Sequence, residues 1–208
     1  MTPSATLDQV LITEQLQRRP AREVDFQAME RAVLKLAWTL GKRPHQVLQM
    51  AAQSALDLCQ VQTVSISILE NEGGKDVFRW RAMAGVYANA IGSTMPREQS
   101  PCGMVLDQDT SLLFAYPELH FPFPGPMDPP IREVLLTPFH NRHGVPVGTI
   151  WMVAHEEDRK FTFEDVRVGK ELADFISSAL STLLGLGYVQ NPSWTHQPAW
   201  DGSATAKG

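Results

Sequence analysis

Residues 132–155 read "REVLLTPFHNRHGVPVGTIWMVAH", and this stretch decides the fold. Two apolar, β-branched-rich runs, 132–139 and 145–154, flank the short polar connection "NRHG" that ends in glycine, which predicts an antiparallel hairpin. The second run carries almost no polar residue, so it is expected at the centre of a sheet, covered on both faces.

Upstream, "VQTVSISILE" (61–70) alternates, with Val64, Ile66 and Ile68 on one side and Ser65 and Ser67 on the other. After the turn signal "NEGG", "VFRWRAMAG" (77–85) alternates again. It is expected to set Phe78, Trp80, Ala82 and Ala84 against Arg79, Arg81 and Met83. These runs read as a second antiparallel pair. Between them and the decisive hairpin the periodicity dissolves. "SPCGMVLD" (100–107) reads as a helical turn and "SLLFAYP" (111–117) as a strand. "PELHFPFPGPMDPP" (117–130) has a proline at six of its fourteen positions, which excludes a helix interior or a central strand. Its aromatic residues point to a packed lid over the sheet.

Two helices precede the sheet. Phe26, Met29, Val33, Leu36 and Leu40 recur at helical spacing, Gly41 stops the run, and Pro44 opens a second helix to about Leu58. Cys59, at its end, is expected as a small buried residue. The last helix begins at "FTFED": Thr162 caps it, and Asp165 three residues on completes a capping box. Its stripe is Val168, Leu172, Phe175, Ile176, Ala179 and Leu183. The order of elements is that of an α+β layer protein, helices on one face of an antiparallel sheet and the irregular insert on the other. Residues 1–24 are expected as a polar leader, 25–184 as the domain, and 185–208 as a loosely ordered tail.

The chain has 208 residues, 43% of them hydrophobic, with a formal charge of −5. That charge, with no Lys/Arg cluster, argues against a nucleic-acid partner. No apolar run is long enough to span a membrane, and no signal peptide is visible. Two cysteines are too few for a disulfide framework, so a reducing, cytoplasmic setting is the simplest reading.

Three pieces of this sequence resemble the GAF domain family of small-molecule sensors: the Pro138-Phe139 to "VPVGT" hairpin, the "FTFED" helix start, and the "CG" turn at Cys102–Gly103. The resemblance spans about Phe26 to Leu184. It implies a central six-stranded antiparallel sheet with a pocket between the sheet and the 86–130 insert, and a homodimer through the first and last helices. It also implies a sensory or regulatory role in a bacterial-type signalling system, with output to a partner such as a histidine kinase. The residues such a pocket would present are Arg81, Arg97, Cys102, Tyr116, His120, Phe121 and Glu133. Neither ligand nor cofactor is identified by the sequence.

Other chemistries fit parts of the same sequence. A ligand-free dimerisation scaffold fits the same helices. A thiol switch, or an enzyme like the free methionine-(R)-sulfoxide reductases that the "CG" also resembles, needs a partner thiol near Cys102. The segment "FPGPMDPPIREV", where that family carries one, has none. Covalent bilin attachment is disfavoured because Gly103, not histidine, follows Cys102. Cys102 at a helix start is expected as a small turn residue or a mildly activated thiol. His140, His143 and His155 are expected as solvated loop residues, too few for a closed metal site.

Overall fold

The structure is a computed structural model that describes residues 4–123, 125 and 127–189. In chain order the elements are α1 (Leu7–Val10), α2 (Phe26–Lys42), α3 (Val47–Cys59), β1 (Thr63–Glu72), β2 (Lys75–Gly85), β3 (Thr94–Pro96), α4 (Pro101–Gln108), β4 (Leu112–Ala115), β5 (Glu133–His140), β6 (Pro146–Ala154) and α5 (Phe163–Gly185). Short 3₁₀ turns connect several of them. The strands form one six-stranded sheet in the order β3-β2-β1-β6-β5-β4, antiparallel throughout. The α+β, six-stranded expectation is met, and the apolar β6 lies at the centre, between β1 and β5.

Because side chains alternate along a strand, β1 feeds two separate cores. Val64, Ile66 and Ile68 face α3 and α5 and join Ala51, Ala55, Leu172 and Ile176. On the other face Leu69 joins Phe78, Met95, Phe114 and Trp151 beneath α4 and the insert. The expected alternation of β2 holds only over half its length. The β1–β2 register slips between Ile66 and Ser67, where Ile66 pairs with Ala82 but Ser67 pairs with Trp80. Arg81 is the extra residue of this bulge, and a bulge reverses the facing of everything beyond it. Phe78 and Trp80 therefore lie on the insert face with Met83, while Ala82 and Ala84 lie on the helix face.

The helices begin as their sequences dictate. The Asp25 carboxylate accepts the Ala28 N–H and starts α2. The Asp165 carboxylate accepts the Thr162 N–H at 2.9 Å, closing the expected capping box of α5. The apolar stripe of α5 is spent within the domain: Val168, Leu172, Ile176, Ala179 and Leu183 are all buried. Helix α2 is different. Only Leu36 of its stripe is fully buried, while Leu34 and Trp38, outside the stripe, are 70% and 58% exposed.

Residues ahead of α2 are bonded to this body. Val10 and Leu16 are buried, Leu11 bridges to Phe114 on β4, and Arg19 and Arg22 form ion pairs with Glu133 and Asp165. Beyond α5, Tyr188 meets the His45 ring and Val189 is buried; the tail expected from residue 185 otherwise lies outside the described residues.

Candidate functional site

A cavity of about 470 Å³ lies between the insert face of the sheet and the loops on either side of the β2–β3 connection and the lid. Its floor is Thr63 and Ser65 on β1, Trp80 and Met83 on β2, and Trp151 and Val153 on β6. The Tyr87–Ser93 turn closes one side, and Met127 and Asp128 close another. The bulge at Arg81 makes this floor, since it brings Trp80 and Met83 to the same face as Ser65.

Aromatic rings set the cavity's character. Trp80 and Trp151 meet edge to face with centroids 6.2 Å apart, and Phe123 meets Trp151 at 5.9 Å in the same manner. Tyr87 stacks edgewise on His155 at 4.7 Å, and its hydroxyl donates to the Pro129 carbonyl. His155 is not the solvated loop residue expected. Its Nδ1 lies 3.0 Å from the Pro130 carbonyl, which only accepts, so Nδ1 carries the proton; Nε2, 3.0 Å from Thr63 Oγ1, accepts from that hydroxyl. Burial favours this neutral form and lowers the imidazole pKa below its usual value.

Behind Trp151 sits Cys102. The Trp151 Nε1–H donates to Cys102 Sγ at 2.8 Å, and Thr149 Oγ1 and Ser67 Oγ lie 3.0 and 3.4 Å from the sulfur. Ser100 caps α4 by accepting the Cys102 N–H. Gly103 is required there by close packing, because a Cβ on it would stand 2.3 Å from the Arg97 carbonyl oxygen. The expected activation of this thiol is corrected by its surroundings. Complete burial raises the Cys102 pKa although four side chains hydrogen-bond to it and pull the other way. Cys59 is buried in the other core, across the sheet, with its pKa pushed up to about 12 by burial and by Asp165.

None of the seven residues named from the sequence is among those lining the cavity. Arg81, turned out by the bulge, pairs with Glu70, which also binds Arg79 at 3.0 Å. Arg97 pairs with Asp107 at 2.5 Å. Cys102 is one side chain removed, behind Trp151. Tyr116, in the left-handed region at φ 47°, donates to Glu157 at 3.1 Å beneath the Arg132 guanidinium. The His120 Nδ1 lies 3.0 Å from the Ala5 carbonyl, and Phe121 packs edgewise on Phe114 at 5.6 Å. Glu133 is buried under Arg19 and Lys160 and accepts the Phe161 N–H. The residues that do line the cavity were missed for one reason. Trp80 and Trp151 sit in ordinary strand runs, and no residue in the β2 run announces the bulge that assigns their face. Among the described residues no cluster of three or more His, Cys, Asp or Glu is arranged to hold a metal. No described helix is long and apolar enough to cross a membrane.

The sequence profile of the GAF domain matches residues 41–181. No curated protein matches the chain. Among solved structures it is similar to the GAF domain of an Acinetobacter phosphoenolpyruvate-protein phosphotransferase, with TM-score 0.64 and 13% identity over 78% of this chain and 95% of that one. The corresponding Coxiella burnetii GAF domain gives TM-score 0.63 and 16% identity over 79% and 99%. The Neisseria meningitidis free methionine-R-sulfoxide reductase, solved with its substrate, gives TM-score 0.59 and 12% identity over 80% and 96%.

Proposed function

The chain belongs to the GAF domain family, and from that premise we propose that it is a non-catalytic, small-molecule-sensing regulatory domain of a cytoplasmic signalling system. The observation that carries this reading is the cavity of about 470 Å³, walled on one side by the sheet and on another by loops of the insert. A cavity of that volume falls in the range of ligand sites. A ligand there touches β1 and β6, whose opposite faces pack on α3 and α5. A ligand with different affinity for two arrangements of that packing shifts their populations and so reaches the helices.

Chemistry at the thiols is a weaker reading of the same fold. A reductase cycle needs an accessible thiolate and a second thiol in disulfide reach. Here Cys102 is fully buried and held protonated, and Cys59 belongs to the opposite core. The homodimer expected through the first and last helices draws its support chiefly from α2, where Leu34 and Trp38 lie one turn apart and exposed; α5 adds the exposed Phe163 at its start. Trp38→Lys is expected to convert a dimer to a monomer in analytical ultracentrifugation.

The sensing reading is tested by thermal-shift screening of a panel of small neutral, anionic and cationic metabolites. The wild-type chain is compared with Ala90→Trp, which fills the cavity from its rim. Compounds that stabilise only the wild type support it. A panel without any such compound would leave the domain a scaffold.

A further inference from the structure

We propose that the cavity selects a small organic cation of the alkylammonium class, held by aromatic faces and by the Asp128 carboxylate. The proposal rests on the sensing reading above and adds the charge class of its ligand.

The aromatic walls come first. Trp80, Trp151 and Tyr87 all line the cavity, and the two indoles stand at 72° to one another. Two of these rings have already spent their polar ends on the protein: Trp151 Nε1–H on Cys102 Sγ, and the Tyr87 hydroxyl on the Pro129 carbonyl. What they retain is the ring, whose negative face attracts a cation, tryptophan most strongly. Rings set across one another enclose such a cation from more than one side.

The charge balance points the same way. Among the described residues lining the cavity there is no lysine, arginine or histidine, and Asp128 is the single ionisable carboxylate. Glu118 stands close enough to act electrostatically on the Tyr87 hydroxyl, and its Oε2 is buried without a hydrogen-bond partner, but burial raises its pKa, so Asp128 is the carboxylate that counts. The positive groups nearby are otherwise engaged. Arg132 lies 3.1 Å from Glu157, covers Tyr116 and offsets the Glu118 charge, though its buried Nε makes no hydrogen bond; Arg81 is bound to Glu70. His155, stacked on Tyr87, is a neutral ring with both nitrogens hydrogen-bonded. An anionic ligand would therefore be desolvated here without a charged partner, which is costly. A cation finds a carboxylate and π faces. The hydroxyls of Thr63, Ser65 and Ser93 and the Asn89 amide on the walls suit a polar tail on such a ligand.

Three probes of nearly one shape and different charge separate the possibilities: choline, its neutral carbon isostere 3,3-dimethylbutan-1-ol, and the anion 3,3-dimethylbutanoate. Each is titrated calorimetrically into the full chain. Choline is expected to bind about tenfold or more tighter than the alcohol, the range of a desolvated cation–π contact, and the carboxylate weakest of all. Asp128 is exposed, so Asp128→Asn leaves the fold intact; it should weaken choline several-fold and leave the alcohol unchanged. Trp80→Phe, the milder change in the floor, should weaken choline more than the alcohol. Equal binding of choline and the alcohol, or tightest binding of the carboxylate, overturns the cation class while the sensing reading stands. Silence of all three overturns it too, and the metabolite panel with Ala90→Trp then decides whether the sensing reading falls with it.

Discussion

Replacing Asp165 by Asn removes one negative charge from a buried site where water can compensate only through the partly exposed arginines. The carboxylate is fully buried and lies between two guanidiniums. Arg22 donates through Nε at 3.1 Å and Nη2 at 2.9 Å, Arg159 through Nη2 at 2.8 Å, and the Thr162 N–H at 2.9 Å. The same two arginines donate to the Leu58 and Cys59 carbonyls that end α3. Asp165 thus ties three segments together: the leader, the C-terminus of α3 and the N-terminus of α5. Asn keeps the volume but places an N–H₂ where an acceptor was, and leaves two cations side by side. Breaking one partner of a buried ion pair costs about 3–5 kcal/mol. The arginine side chains are 21% and 13% exposed, so partial hydration sets the expectation at the lower end, about 3 kcal/mol. With a urea dependence of about 2 kcal/mol per M, the unfolding midpoint should fall by about 1.5 M. In heat the loss should be about 6–12 °C for a domain of this size. Trypsin should also cleave faster after Arg18 and Arg22 under native conditions, because the leader loses an anchor. Asp174→Asn, exposed on the same helix, should change stability by less than about 0.5 kcal/mol. A loss below about 1 kcal/mol for Asp165→Asn, or unchanged leader cleavage, would refute the reasoning.

Both cysteines should resist iodoacetamide at pH 8 in the folded chain and react at the rate of unfolding, since burial holds each thiol protonated; rapid native labelling of Cys102, read by mass spectrometry, would contradict this. His155 has a folded pKa lowered from the usual 6.5, so the unfolded chain binds its proton more readily. The stability it contributes is complete above pH 6.5 and is lost as pH falls through the folded value, so wild type minus His155→Gln in urea melts should shrink below pH 6.5; a difference that does not vary with pH would sink the assignment. Gly148→Ala should cost about 3 kcal/mol, the upper end of overpacking, because the new methyl would meet Phe139 Cζ at 2.1 Å and the Ser67 carbonyl oxygen at 2.5 Å. An unfolding midpoint equal to wild type would show that β6 yields there.

What was legible in the sequence is what depends on neighbours along the chain. The alternation of Val64, Ile66 and Ile68 fixes one face of β1, and apolar monotony places β6 at the centre; both need only the period of a strand. Thr162 and Asp165 announce a helix start because a cap is made within three residues. The same Asp165 also binds Arg22, which is 143 residues away, and nothing in "RRPARE" states that its arginines reach α5 rather than solvent. Polar leaders of this kind look detachable because their contacts are ion pairs, which leave no periodic trace.

The cavity escaped for a related reason. Its floor depends on one unpaired residue, Arg81, and a bulge has no period of its own. Reading β2 as a regular strand keeps Trp80 with Ala82 and sets Arg81 opposite them, which leaves open which of the two faces greets a ligand. The bulge settles that choice: it takes the guanidinium to Glu70 on the helix side and leaves indoles on the insert side. One inserted residue thereby decides whether guanidiniums or π faces line the cavity floor. The electrostatic character of this cavity is thus set by sheet register rather than by which residues the strand contains. Deleting Arg81 would leave Ile66–Ala82 and Ser67–Trp80 as successive pairs, so Trp80 should keep the cavity face; choline binding retained in such a variant, with the fold intact, would show that the pairing of these strands and not the arginine sets the selectivity, and its loss would refute that.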